Sequence, residues 1–193
     1  MHKTSLSGMG AALLTLMLYN TAPAFADEHE HREQEAHEHG VAKLNIAQEG
    51  NTLQIELSSP AMNLVGFEHA PRNKQQQAAV QQAVAGLQKG ERLFQLSPAA
   101  GCHLTEYDVD SSLMEEEHGH DEHGKEEHED EHEHADFDAS YVFQCKNPAA
   151  LRSIEVKLFK LFPGTEELEV QLLTDKGQRA LELTPSNPTL HLQ

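Results

Sequence analysis

The sequence predicts an α+β domain, with an antiparallel sheet, one main amphipathic helix and a disordered hairpin loop rich in histidine and acidic residues. Several short segments alternate apolar and polar residues, which is typical of half-buried strands. One longer segment, Arg72–Gln88, carries its apolar residues at helical spacing. A third, Glu115–Asp136, has almost no apolar residues, so it cannot bury a core and is expected to stay solvated.

The N-terminal residues have the pattern of an export signal. Lys3 is followed by the apolar run Ala11–Tyr19 and then by Ala22–Ala26, which ends in the small residues that a signal peptidase reads. We expect cleavage after Ala26, which would place the mature protein in the periplasm. The run is too short to span a bilayer, and no other run of about 18 apolar residues exists, so no membrane span is expected after cleavage. The alternative is an uncleaved anchor or a buried helix.

The charge of the chain is unevenly distributed. Of the formal net charge of −18, most belongs to an N-terminal arm at residues 27–40 and to an insert at residues 111–136, so the remaining chain is nearly neutral. We therefore predict a signal peptide at 1–26, the arm at 27–40, and a single domain at 41–193 that contains the insert. Because no basic patch exists to neutralise phosphates, nucleic acid and anionic membrane surfaces are disfavoured as partners.

The predicted domain begins with a hairpin and a helix. Val41–Gln48 and Thr52–Ser58 alternate around Glu49–Asn51, whose glycine and asparagine tolerate positive φ. The helix follows over Arg72–Gln88, and Gly90 is expected to close it.

The sequence of the C-terminal part predicts a short helical turn and three more strands. Asn147 and Pro148 have the residue types of a helix cap and first helical position. The predicted strands are Ile154–Phe159, Glu167–Thr174 and Gln178–Leu183, with a turn at 175–177 between the last two.

The two cysteines bracket the insert. An exported chain with two cysteines favours a disulfide between Cys102 and Cys145. The competing interpretation makes both thiolates metal ligands, although the sequence has no Cys-x-x-Cys spacing. With Cys102 opposite Cys145, the flanking segments pair as antiparallel strands that place Leu104 opposite Phe143. The same register places Asp110 opposite Phe137, so the insert becomes the tip of a stapled hairpin.

The insert combines imidazole and carboxylate groups, the ligand types that suit zinc and its neighbours in the first transition row. Six histidines supply roughly one or two four-coordinate sites if carboxylates or water complete them. Their irregular spacing favours adaptable binding over one rigid cage. The predicted insert ligands are His118, His120, His123, His128, His132 and His134.

Further predicted ligands lie in the arm and after the first hairpin. Those in the arm are His29, His31, His37 and His39. His29 and His31 are equally well explained as part of a solvated tail. His69 is as well explained by a structural histidine that hydrogen-bonds a backbone carbonyl. Glu68 beside it is either a ligand or a hydrogen-bond acceptor for a ligand. A more ordered site is expected where the arm meets His69 or the insert.

Three segments together with the cysteines and the insert carry a family resemblance. His37–Leu44 reads His-Glu-His-Gly-Val-Ala-Lys-Leu, Ser59–Asn63 reads Ser-Pro-Ala-Met-Asn, and Gly66–Pro71 reads Gly-Phe-Glu-His-Ala-Pro. With these motifs, nearly the whole mature chain resembles the zinc-regulated periplasmic ZrgA family of Gram-negative bacteria. The resemblance implies a periplasmic protein that binds zinc ions and supports zinc acquisition beside a high-affinity ABC importer, whose binding protein is the implied partner.

An enzyme is not expected. The sequence contains neither His-Glu-x-x-His nor Gly-x-Ser-x-Gly, and it has no glycine-rich phosphate loop. Two other functions stay open beside zinc binding. Copper or nickel could be the bound ion, because imidazole sites favour copper over zinc. The acidic loop could also serve a non-catalytic interaction protein for which metal is incidental.

Overall fold

The computed structural model describes residues 38–114 and 135–192. Within these ranges the chain forms two sheets and four short or medium helices. The strands are β1 (Val41–Glu49), β2 (Thr52–Pro60), β3 (Phe94–Leu96), β4 (Cys102–Asp110), β5 (Asp136–Cys145), β6 (Ser153–Val156), β7 (Glu167–Thr174), β8 (Gly177–Leu183) and β9 (Thr189–His191). The helices are α1 (Ala61–Val65), α2 (Lys74–Leu87), α3 (Gly90–Leu93) and α4 (Leu158–Leu161). The α+β prediction is confirmed. The predicted signal peptide and the loop at 115–134 lie outside the described residues.

The larger sheet has six strands in the order β4-β5-β2-β1-β7-β8. The first predicted hairpin is confirmed, because β1 and β2 pair antiparallel with Glu49 opposite Thr52. Gly50 in its turn has φ +54°, a left-handed conformation that glycine adopts without steric cost. The predicted strands Glu167–Thr174 and Gln178–Leu183 are also present and pair with each other. The parallel pairing of β1 with β7 was not predicted.

One face of this sheet is covered and the other is open to solvent. Alternate residues of β1, β2, β5 and β7 are buried, as the period of two requires. They form one apolar cluster together with Val80, Ala83 and Leu87 of α2. Helix α2 therefore packs on the inner face, as an amphipathic helix over a sheet with one covered face should.

Helix α2 is slightly shorter than predicted. It begins at Lys74, because the Asn73 side chain accepts a hydrogen bond from the Gln76 N–H at 3.0 Å and caps the helix. It ends at Leu87, and Gly90 opens α3 instead of closing α2. Gly90 lies against the buried ring of Tyr141, whose hydroxyl donates a hydrogen bond to the Leu87 carbonyl at 2.7 Å.

The stapled hairpin is confirmed at its base. Cys102 and Cys145 lie opposite each other and form the disulfide, and Leu104 lies opposite Phe143. The prediction for the other end was wrong by one residue. A bulge between Leu104 and Glu106 shifts the register, so Asp110 pairs with Asp138 and not with Phe137.

The C-terminal strands β6 and β9 form a second, three-stranded sheet with β3, in the order β3-β6-β9. The predicted strand Ile154–Phe159 was wrong in its second half. Strand β6 stops at Val156, and α4 begins at Leu158 because the Phe162 N–H donates a helical hydrogen bond to the Leu158 carbonyl at 2.8 Å. The turn predicted after Asn147 is a short 3-10 helix, although the Asn147 side chain makes no capping bond.

Candidate metal site

Two of the predicted metal ligands lie in the described residues, namely His39 and His69. The remaining nine lie outside the described residues: His29, His31, His37, His118, His120, His123, His128, His132 and His134. Within residues 38–114 and 135–192, no group of three or more histidine, cysteine, aspartate or glutamate side chains is arranged to hold a metal ion. The geometry available is therefore that of the arm's last residues and of the segment around His69.

His39 contacts Glu68. The two side chains come from segments 29 residues apart, and His39 Nε2 lies 3.2 Å from Glu68 Oε1. The histidine side chain is 55% exposed, whereas the glutamate side chain is 13% exposed and its Oε1 atom is buried. One partner is thus held within the protein and the other reaches it from the solvent side.

Asn63 holds the turn that carries His39. This asparagine is buried in α1, with 3% of its surface exposed. Its Oδ1 accepts a hydrogen bond from the Gly40 N–H at 2.7 Å, and its Nδ2 donates to the Val41 carbonyl at 2.9 Å. The same amide also donates to Ser59 Oγ at 3.3 Å. A single buried amide therefore fastens the start of β1 to the end of β2.

The backbone of Gly40 is also hydrogen-bonded to the segment that leads into β7. Its carbonyl accepts hydrogen bonds from the N–H groups of Glu166 and Glu167 at 2.7 and 3.0 Å. Its φ of +92° is a conformation that residues with a side chain rarely adopt, which explains a glycine directly after His39. The Val41 N–H closes the turn by donating to the Glu38 carbonyl at 3.1 Å.

On the opposite side of the pair, Gly66 ends α1 with φ +82° and turns the chain toward Glu68. Phe67 is buried and stacks on the His69 ring, with centroids 5.2 Å apart. The His69 Nδ1 lies 2.9 Å from the Ala70 carbonyl. Because a carbonyl only accepts, Nδ1 donates and Nε2 keeps a lone pair that can bind a metal.

Both ends of the insert attach close to this segment. The Ala61 N–H at the start of α1 donates to the Ala135 carbonyl at 2.8 Å, so the returning end lies beside the helix that carries Asn63. At the leaving end, Leu113 and Met114 line a groove of about 1080 Å³ together with His69, Arg72 and one side of α2. The described residues thus bring the arm's end, His69 and both insert attachments to one end of the sheet.

The outer face of the sheet is acidic at this end. One row of cross-strand neighbours runs from Asp110 and Asp138 through Ser58 and Lys43 to Glu169 and Glu182. Directly opposed like charges destabilise a sheet, and the row has four carboxylates to one lysine. Such a surface raises the local concentration of cations next to the insert.

Sequence reasoning did not single out Asn63 and treated Glu68 as a secondary contributor. Asn63 is the last residue of the Ser59–Asn63 motif, but no local pattern shows that its side chain hydrogen-bonds to a strand residue 22 positions away. The signal available was an asparagine among apolar residues just after a strand, which demands hydrogen-bond partners when buried.

Comparison with protein families assigns the chain to a known family. The family described as "ZrgA family zinc uptake protein" matches residues 36–192. The chain therefore belongs to the ZrgA family, which confirms the resemblance drawn from its motifs, and its role lies in zinc uptake. No curated protein matches the chain closely enough to be reported as a relative. In the described part of the chain, no helix is both long and apolar enough to cross a bilayer.

Proposed function

We propose that this protein binds zinc ions in the periplasm and captures, buffers or delivers them in support of zinc uptake. The family membership supplies the link to zinc. The observation that carries the proposal is the convergence of the insert's two attachments with the His39–Glu68 contact at one end of the sheet. Zinc acts here as the cargo of the protein.

The insert supplies the capacity. Its histidines provide neutral nitrogen ligands, and its carboxylates complete the coordination and attract the ion. Because a segment of this composition must be ordered around each ion, binding costs conformational entropy, and the affinity per ion should be modest. Modest affinity suits a protein that takes up zinc and passes it on to a stronger acceptor, such as the binding protein of an ABC importer.

The proposed location rests on two features of the chain. The N-terminal residues have the pattern of an export signal, and a disulfide is typical of an oxidising compartment. Periplasmic extraction followed by N-terminal sequencing tests the location and should find Asp27 as the first residue. Recovery in the cytoplasm with Met1 intact would contradict it.

Isothermal titration of the mature protein tests zinc binding. The parent should bind more than one equivalent, and deletion of residues 115–134 should remove most of that capacity. A matched variant changes the six insert histidines to asparagine and keeps every carboxylate. It should lose capacity to the same extent if imidazoles are the main ligands. Full stoichiometry in the deletion variant would contradict the assignment to the insert.

The identity of the ion needs a test in cells, because imidazole sites favour copper over zinc in vitro. A strain without this protein should grow more slowly than its parent when zinc is limiting. Equal growth under zinc limitation, combined with a defect under copper or nickel limitation, would assign the protein to the other ion.

A further inference from the structure

We infer that His39 and Glu68 are two ligands of an ordered zinc site, separate from the insert, and that Asn63 is its positioning residue. The inference rests on the proposed function, since it names a second place where the same cargo binds. The site offers two protein ligands and leaves the remaining positions to water or to groups of an acceptor.

The distance between the two atoms fits a shared ion. Zinc bonds to histidine nitrogen and carboxylate oxygen are about 2.0–2.1 Å long, so two ligands of one tetrahedral zinc lie about 3.3 Å apart. His39 Nε2 and Glu68 Oε1 are 3.2 Å apart without the metal. A zinc ion can therefore bind between them with little movement of either side chain.

The burial of the pair favours a cation at this place. A carboxylate oxygen removed from water needs a positive partner, because its desolvation is costly. Glu68 Oε1 is buried, and the exposed imidazole of His39 lies within 3.2 Å of it. A zinc ion bound there would take the carboxylate as an anionic ligand and remain open to solvent on the histidine side.

The local backbone holds the pair in register. Asn63 fixes Gly40 and Val41, the two residues after His39, through hydrogen bonds of 2.7 and 2.9 Å. Groups that hydrogen-bond a metal ligand directly contribute about 10–100-fold to metal affinity, and Asn63 does the same through the backbone of the residues next to the ligand. Asn63 therefore acts on zinc through His39 without touching the ion.

The number of protein ligands sets the type of site. Structural zinc sites have four protein ligands, and catalytic sites have three. The described residues supply two protein ligands at this place. The site should therefore bind zinc more weakly, and exchange it faster, than a structural or a catalytic zinc site. An exchange site beside both attachments of the insert suits transfer of zinc from the insert to an acceptor.

The test uses the full mature chain with its six insert histidines and His29, His31 and His37 changed to asparagine. This background should keep one weak zinc site, and cobalt bound there should show the absorption of Co²⁺ with nitrogen and oxygen ligands. Adding Glu68→Gln or His39→Asn should weaken zinc binding at least tenfold and change the cobalt spectrum. Glu38→Gln, in the same turn as His39, is the matched control and should leave the zinc affinity and the cobalt spectrum unchanged.

Asn63→Ala in the same background should weaken zinc binding about 10–100-fold while cooperative unfolding shows that the protein still folds. Its cobalt spectrum should keep the nitrogen and oxygen ligands, because it removes neither. Equal zinc affinity in Glu68→Gln and Glu38→Gln would overturn the inference. The proposed function would still stand if the parent loses its zinc capacity with residues 115–134, and it would fall if the parent binds no zinc.

Discussion

Asn63 accepts a hydrogen bond from the backbone N–H of Gly40 at 2.7 Å, and this contact ties the end of the histidine-rich arm to the helix that follows β2. The bond joins residues 23 positions apart and is buried. It explains how the turn holds His39 within 3.2 Å of Glu68 although the His39 side chain is itself exposed.

Asn63→Ala should lower the free energy of unfolding by about 1–3 kcal/mol, because it leaves the buried Gly40 N–H without its acceptor. Urea denaturation measures the change. Asn45→Ala, at an exposed position in the middle of β1, is the control and should change stability by less than about 0.5 kcal/mol. Equal effects of the two substitutions would show that the Asn63 amide contributes little.

Removal of the disulfide should destabilise the protein without emptying its zinc sites. Cys102 and Cys145 are 43 residues apart, and closing such a loop is worth about 4 kcal/mol in the chain-entropy model. The double variant Cys102→Ala, Cys145→Ala should therefore unfold at a lower urea concentration. Its zinc stoichiometry in titration should match the parent, and a loss of zinc would show that the thiolates are ligands.

Gly90→Ala and Gly86→Ala form a matched pair. A Cβ at Gly90 would lie 2.6 Å from the buried Tyr141 ring, which cannot move aside, so about 1–3 kcal/mol should be lost. A Cβ at Gly86 would lie 2.8 Å from the tip of Leu161, a half-exposed side chain that can rotate away. The gain in helix propensity should then offset the contact. Thermal unfolding should separate the two variants clearly, and equal melting temperatures would contradict the packing of Gly90.

Tyr141 should make the protein sensitive to alkali. Burial raises the pKa of Tyr141 above its ordinary value of 10, so the neutral form is favoured in the folded state. Its contribution to stability is fully present below about pH 10 and falls by about 1.4 kcal/mol for each pH unit above that.

Urea denaturation at pH 8 and pH 11 measures this effect. Tyr141→Phe should lose about 0.5–1.5 kcal/mol at pH 8, through its hydrogen bond to Leu87, and should lose less than the parent between the two pH values. Tyr107→Phe is the control, since Tyr107 is 48% exposed. A parent and a Tyr141→Phe variant with the same pH dependence would contradict the account.

Zinc occupancy should fall between about pH 7 and 5. Histidine must be neutral to bind a metal, and its ordinary pKa is about 6.5, so protons compete with zinc for the insert in this range. Equilibrium dialysis at fixed zinc concentration measures the loss. Undiminished binding at pH 5 would mean that carboxylates are the main ligands.

Local patterns predicted the elements whose signals are local. The alternation of Val41–Gln48 and Thr52–Ser58 around Gly50 was enough for the first hairpin. The cysteines were enough to predict the base of the second hairpin. The bulge near Thr105 changes the register by one residue, and it was not predictable because β4 is an exposed edge strand without a sequence pattern that signals a bulge. The pairing of β1 with β7 joins segments more than 100 residues apart, and no short pattern encodes it.

The candidate site was predictable in its residue types and not in its contacts. His39 and His69 stood out because they lie in distinctive motifs. The 3.2 Å contact between His39 and Glu68 depends on Asn63 and on the turn at Gly66, both of which act through the folded backbone. The burial of Glu68 Oε1, which is part of the argument for the proposed zinc site, is a property of packing.

The most direct test of the central claim is a zinc titration of the mature protein followed through the ¹⁵N signals of its histidine rings. The account predicts that more than one equivalent of zinc binds, that most of the insert histidines shift, and that the Nε2 of His39 shifts with them. Ring signals that stay unmoved while zinc is added in excess would contradict it.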